Sequence, residues 1–101
     1  NIAGGLTVTE PAADLSIVAA VASSLRNRPV RPGTAVFGEV GLAGEVRGIR
    51  QAGLRVKEAA QLGFGRCVMP QSNRSPTDEP RGCELIGVTT VSEALDTLLT
   101  D

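Results

Sequence analysis

Few side chains in this sequence can transfer a proton or attack a carbonyl. The chain has 101 residues and no histidine, which removes the usual general base and the usual nitrogen ligand for a metal. Lys57 is the one lysine. A lysine beside a serine is one way to activate a hydroxyl, and Ser16 lies in an apolar helical stretch. The bland reading is a small packed residue at Ser16 and an exposed helix residue at Lys57. Cys67 and Cys83 lack the close pairing of a zinc site. They read as two reduced thiols near neighbouring strands, with a disulfide as the alternative. Glu39 reads as structural beside a hairpin glycine, and Asp78 and Glu79 as solvated loop residues.

What remains is positive charge. The run "VRGIRQAGLRVK" carries Arg47, Arg50, Arg55 and Lys57, and "RNRPVR" carries Arg26, Arg28 and Arg31. Arginine grips phosphate with a two-pronged fork, so a few well-placed copies can hold a nucleic-acid backbone without reading bases. The alternative is a solvated face, since Glu45 flanks Arg47 and Glu58 follows Lys57. With a net charge of −1, no global field draws the chain to DNA or an anionic membrane. Only 2% of residues are aromatic, so bases have no platform to stack on. Contact with DNA would be backbone-directed and steeply salt-dependent.

These residues must be carried by one domain, since 101 residues suffice for one and not two. Hydrophobic residues make up 42% and charged residues 21%, as in an ordinary globular domain whose core is Ala, Val, Leu and Ile. No apolar run approaches the roughly 20 residues that span a bilayer, and no signal peptide is visible. The expectation is a cytoplasmic protein with no membrane contact.

Residues 2–9 read as a strand interrupted by Gly4 and Gly5. Pro11 suits a first helical turn, and Glu10 and Asp14 suit the positive end of its dipole. Residues 12–25 are apolar almost all round, which predicts a helix covered on more than one side. Residues 34–40 and 45–49 read as two strands of a hairpin. Residues 51–62 read as a helix with Ala52, Val56, Ala59 and Ala60 inward and Leu54 off that face, stopped at Gly63. "RCVMP" and "ELIGV" are short strands around a polar, proline-rich loop, and residues 92–99 form a last amphipathic helix with Thr90 or Val91 near its start. Alternating strands and helices make this an α/β domain with a mixed sheet, a β-hairpin and packed helices.

The blocks "GEVGLAGEVRGI", "KEAAQLGF" and "VMP" resemble the C-terminal domain of Lon-type proteases. "GGLTVTEPAADL", "ASSLRNRP", "VFGEVGLAGEVR" and "IGVTTVSEAL" are similar, more closely, to the Lon-like C-terminal domain of the RadA (Sms) family of bacterial RecA-related ATPases. That resemblance implies a Lon-like fold over residues 1–101, as the C-terminal part of a longer chain, with further strands of the domain before Asn1. It implies a parent with a zinc module and a RecA-like ATPase core that uses ATP and magnesium in DNA repair and homologous recombination. This chain itself carries no phosphate-binding G-x-x-x-x-G-K-S/T run and no C-x-x-C, so it is expected to hold no cofactor or metal. DNA, the ATPase core and other copies in a ring of six are the partners implied.

Lon-type proteases use a serine at a helix start and a lysine that activates it. Placed on that pattern, "TEPAAD" puts Ala12 at the serine, and an ungapped count from Gly38 and Glu39 puts Gly53 at the lysine. Neither can do the chemistry. Three readings stay open: a non-proteolytic scaffold contacting DNA through Arg47, Arg50, Arg55 and Lys57; a peptidase with a displaced Ser16–Lys57 dyad; and a purely structural oligomerisation module.

Overall fold

The computed structural model describes residues 10–100, so the strand expected at residues 2–9 lies outside the described residues. A 3-10 turn, Pro11–Ala13, leads into helix α1, Asp14–Arg26. Strand β1 is Thr34–Val36, β2 is Glu39–Val40 and β3 is Val46–Arg47. Helix α2 is Ala52–Gln61, strand β4 Arg66–Pro70, strand β5 Glu84–Val88 and helix α3 Val91–Leu98. Two 3-10 turns, Gln71–Asn73 and Pro76–Asp78, shape the proline-rich loop.

The three-stranded sheet has the order β1-β4-β5 and is parallel throughout, with Thr34, Arg66 and Glu84 in one register row. β2 and β3 pair antiparallel as the expected hairpin. The central strand β4 is covered on both faces, so it reads as an unbroken apolar run. Val68 looks toward Leu15 and Ala19 of α1 and Ala94, Leu95 and Leu98 of α3. Cys67 and Met69 look the other way, toward Phe37, Leu85 and the Ala52 and Val56 of α2. With α1 and α3 on one face and α2 on the other, this is the three-layered packing that buries both faces of a parallel sheet.

Two expectations change. The single strand at residues 34–40 is two strands in two sheets. The chain leaves β4 after Phe37, whose amide donates to the Val68 carbonyl, and turns at Gly38. Gly38 has φ +155°, and a Cβ there would stand 3.2 Å from Val46 and 3.4 Å from Leu15. Only glycine fits so close a junction. Second, the hairpin's return strand is shorter than the expected 45–49: Glu45 also bridges to Thr90, and the backbone of Ile49 is taken by the side chain of Asn73 rather than by β2. For α1, where cover on more than one side was expected from the sheet and from other helices or another subunit, the described residues supply one side. Leu15 and Ala19 are buried, while Ile17, Val21 and Leu25 are exposed. α2 follows its expected pattern: Ala52, Val56 and Ala59 are buried and Leu54 is exposed.

Candidate functional site

A cleft of about 700 Å³ opens where α1 begins, beyond the C-terminal end of β1. Glu10, Ala12, Glu39, Arg50, Gln51 and Arg55 are among its walls. In open parallel sheets this is the end at which ligands bind. The local backbone is tightly pinned. The Gly38 amide donates to the Ala12 carbonyl at 2.9 Å, and the Leu15 amide donates to the Gly38 carbonyl at 2.9 Å. The Asp14 carboxylate accepts from the Val40 amide at 3.1 Å, tying α1 to β2. Ala12 is buried under this lattice.

The opposite wall is fixed by an asparagine. Asn73 accepts from the Ile49 amide at 2.8 Å and donates to the Ile49 carbonyl at 3.1 Å, imitating a strand partner. That clamp holds the segment presenting Arg50. Gln51 then takes a left-handed conformation, φ +58°, and α2 starts. Its first turn has no side-chain cap and no acidic residue, so the positive end of the helix dipole is left uncompensated beside Arg50.

The four cations picked out in the sequence have separate fates. Arg47 is held by Glu45 at 2.8 Å, with Glu39 at 3.8 Å. The Glu45 carboxylate also accepts from the Ala43 amide at 3.0 Å, and a side chain on Gly41 would run into it. Its own backbone amide, and then the Arg47 guanidinium, hold the Glu45 carboxyl below its ordinary range. The same contact raises Arg47. Arg55 forms an ion pair with Glu10 across the cleft. Arg50 is exposed and has no hydrogen bond or ion pair among the described residues. Lys57 lines a different cleft of about 530 Å³ with Gly53, Thr77, Asp78 and Glu79.

Helix geometry explains this division. Residues 51 and 55 are one turn apart on one side, and 53 and 57 one turn apart on the other, since two residues advance roughly 200°. Gly53 has no heavy atom within 4 Å of where its Cβ would stand. The ungapped count therefore does not set Gly53 opposite Ala12: the cleft is faced by Arg50, Gln51 and Arg55 instead. Ser16 lines neither of these two clefts, whereas Lys57 lines the second. The Ser16 hydroxyl donates to the Ala13 carbonyl at 2.8 Å, one turn back in its own helix.

In the second arginine cluster, Arg28 is structural: its Nε donates to the Thr100 carbonyl at 2.7 Å. Cys67 and Cys83 are buried and free, on or beside neighbouring strands. Burial, with Cys83 close by, pushes the Cys67 thiol up to about 12. A thiol so placed is inert rather than nucleophilic.

A helix start at the end of a parallel strand, a hairpin beside it and a second helix across the cleft make a recognisable arrangement. Residues 3–101 match the Lon protease (S16) C-terminal proteolytic domain. This chain belongs to the Lon protease C-terminal domain family. It is 50% identical over 99 residues to the DNA repair protein RadA of Bacillus subtilis, a match covering 98% of this chain and 22% of that protein. With the DNA repair protein RadA of Pseudomonas aeruginosa the identity is 49%, covering 97% of this chain and 21% of that one. With the Escherichia coli protein of the same name it is 46%, covering 94% and 20%. The chain thus spans about a fifth of the length of the curated relatives it matches.

As a Lon-family domain, the molecule has the α/β architecture and the hairpin that the resemblance implied. The charged groups of its cleft, among the described residues, are Arg50, Arg55, Glu10 and Glu39; Ala12 offers only a methyl, and no serine, threonine, cysteine or lysine lines it. No helix of the described residues is long and apolar enough to cross a membrane.

Proposed function

We propose that this Lon-family domain is a non-proteolytic scaffold and DNA-contact platform of a RadA-type ATPase acting in DNA repair and homologous recombination. The observation that carries this reading is the content of the cleft. Where a Lon-type protease has a hydroxyl, the walls offer Ala12, the unpaired Arg50 and the uncapped start of α2. A methyl cannot attack a carbonyl, whereas a free guanidinium beside a helix N-terminus suits phosphate. The names of the relatives support the DNA repair context. Arg50 is the leading contact and Arg55 the second. Arg47 and Lys57 are weaker candidates, one held by two carboxylates and the other beside Asp78 and Glu79. The exposed apolar stripe of α1 supports the scaffold half, as a surface covered by another copy in a ring of six or by the parent's ATPase core.

The test is DNA binding by the intact protein at several salt concentrations. Arg50→Ala combined with Arg55→Ala should weaken binding and flatten the plot of log affinity against log salt by about 0.9 for each phosphate that is no longer neutralised. Arg47→Ala should do less. Unchanged affinity and slope in the double variant would remove the DNA contact and leave the scaffold. Peptide cleavage by the purified protein, abolished by Ser16→Ala, would restore the peptidase reading.

A further inference from the structure

The two cleft arginines differ in one respect that bears on how the site is used. Arg50 is open, whereas Arg55 is already bound to a carboxylate of its own chain. The Arg55 side chain is 36% exposed and that of Glu10 58%, so the pair stands at the mouth of the cleft rather than inside it. Glu10 immediately precedes the Pro11–Ala13 turn. The Ala13 amide donates to the Glu10 carbonyl and the Gly38 amide to that of Ala12, which holds the Glu10 backbone at the edge of this cleft. A guanidinium N–H that is taken by a carboxylate cannot be offered to a phosphate at the same time.

We infer that Glu10 is a built-in competitor for the phosphate backbone. It occupies Arg55 in the free domain and yields it on binding, so that Arg50 is a standing contact and Arg55 an exchangeable one. This inference rests on the DNA-contact reading and assigns a regulatory role to a residue of the same cleft. Exposed ion pairs are weak, so the exchange is reversible and its energetic effect modest. The competing carboxylate also disfavours loosely placed anions. A single small anion gains too little to displace it, whereas a DNA backbone already held by Arg50 brings its next phosphate at high local concentration.

The experiment is a double-mutant cycle in the intact protein, reading affinity for a short mixed-sequence DNA duplex at fixed low salt. Glu10→Gln removes the charge with little change of shape. It should tighten binding about two- to fivefold, the range an exposed pair accounts for. The same gain should persist with Arg50→Ala and vanish with Arg55→Ala. An equal gain in the Arg55→Ala background would mean that Glu10 acts only by adding negative charge, and the exchange would be wrong. No gain at all, while Arg55→Ala still weakens binding, would also overturn it and leave the DNA contact standing. If neither Arg50→Ala nor Arg55→Ala weakens binding, the DNA reading itself fails, and the exchange with it.

Discussion

Helices α1 and α3 lie on the same face of the parallel sheet and share one core cluster, yet they use their apolar residues differently. In α3, of 8 residues, Ala94, Leu95 and Leu98 are buried while Ser92, Glu93 and Asp96 face water. The domain consumes the whole pattern. In α1, of 13 residues, Leu15 and Ala19 are buried, but Ile17, Val21 and Leu25 remain 42%, 53% and 82% exposed. Those three are each one turn apart and line up along the helix. A hydrophobic pattern can thus specify more than the fold of the chain that carries it, and α1 holds a surplus that α3 lacks.

The largest expected effects test whether the inner faces are equivalent. Leu15 and Leu98 are both fully buried. Leu15→Ala and Leu98→Ala should each lower stability by about 2–5 kcal/mol, measured by denaturant unfolding. A much smaller cost for Leu15→Ala would show that α1 is loosely held, and its exposed stripe would then be a fraying helix rather than a second surface.

Next in size are the helix starts. α3 is capped by its own sequence: the Thr90 hydroxyl accepts from the Glu93 amide at 3.1 Å, and the Glu93 carboxylate accepts from the Thr89 amide at 2.7 Å. Thr90→Ala should cost about 1 kcal/mol. α1 has no side-chain cap, and its first acidic residue binds the hairpin instead. Asp14→Ala should cost about 1–3 kcal/mol, because it strands the Val40 amide. Hydrogen exchange separates the two: Asp14→Ala should speed exchange in β2, and Thr90→Ala should leave β2 alone. Equal exchange in both variants would reduce Asp14 to an ordinary helix-terminus charge.

How much of this was legible in the sequence follows from how local each signal is. The boundaries of α3 could be read because Thr90, Glu93 and the periodic leucines lie within a few residues of each other. β4 and β5 were readable as short unbroken apolar runs. The break at Gly38 was not, because "TAVFGEV" is locally a good strand. What divides it is crowding by Leu15 and Pro70, far away in sequence, together with Val46 on the return strand of the hairpin. In the cleft, the charge cluster and Ala12 were visible, but not their separation. Contiguous arginines suggest one patch, and only the start of α2 at Ala52 reveals which side each takes. The Glu10–Arg55 pair and the Asn73 clamp on Ile49 carry no local signature at all. The exposed face of α1 was half legible. The near-uniform apolarity predicted extra cover, but could not say that the described residues supply only one side of it.

That remainder gives the smallest expected effect on stability per site and the sharpest reading of the comparison. Replacing Ile17, Val21 and Leu25 together by serine removes atoms that stand mostly in water at Leu25 and about half in water at Ile17 and Val21, so the fold loses less per site than at Leu98. Stability of the chain should fall by no more than about 1 kcal/mol per site. The consequence should appear in assembly. Sedimentation of the intact protein should shift from the proposed ring toward the single subunit, because the apolar area that another copy would cover is gone. An unchanged mass would show that α1 faces something other than a second copy, or nothing. A drop in stability as large per site as that of Leu98→Ala would carry a different lesson. The stripe would then be covered from within the same polypeptide, and α1 would resemble α3 after all.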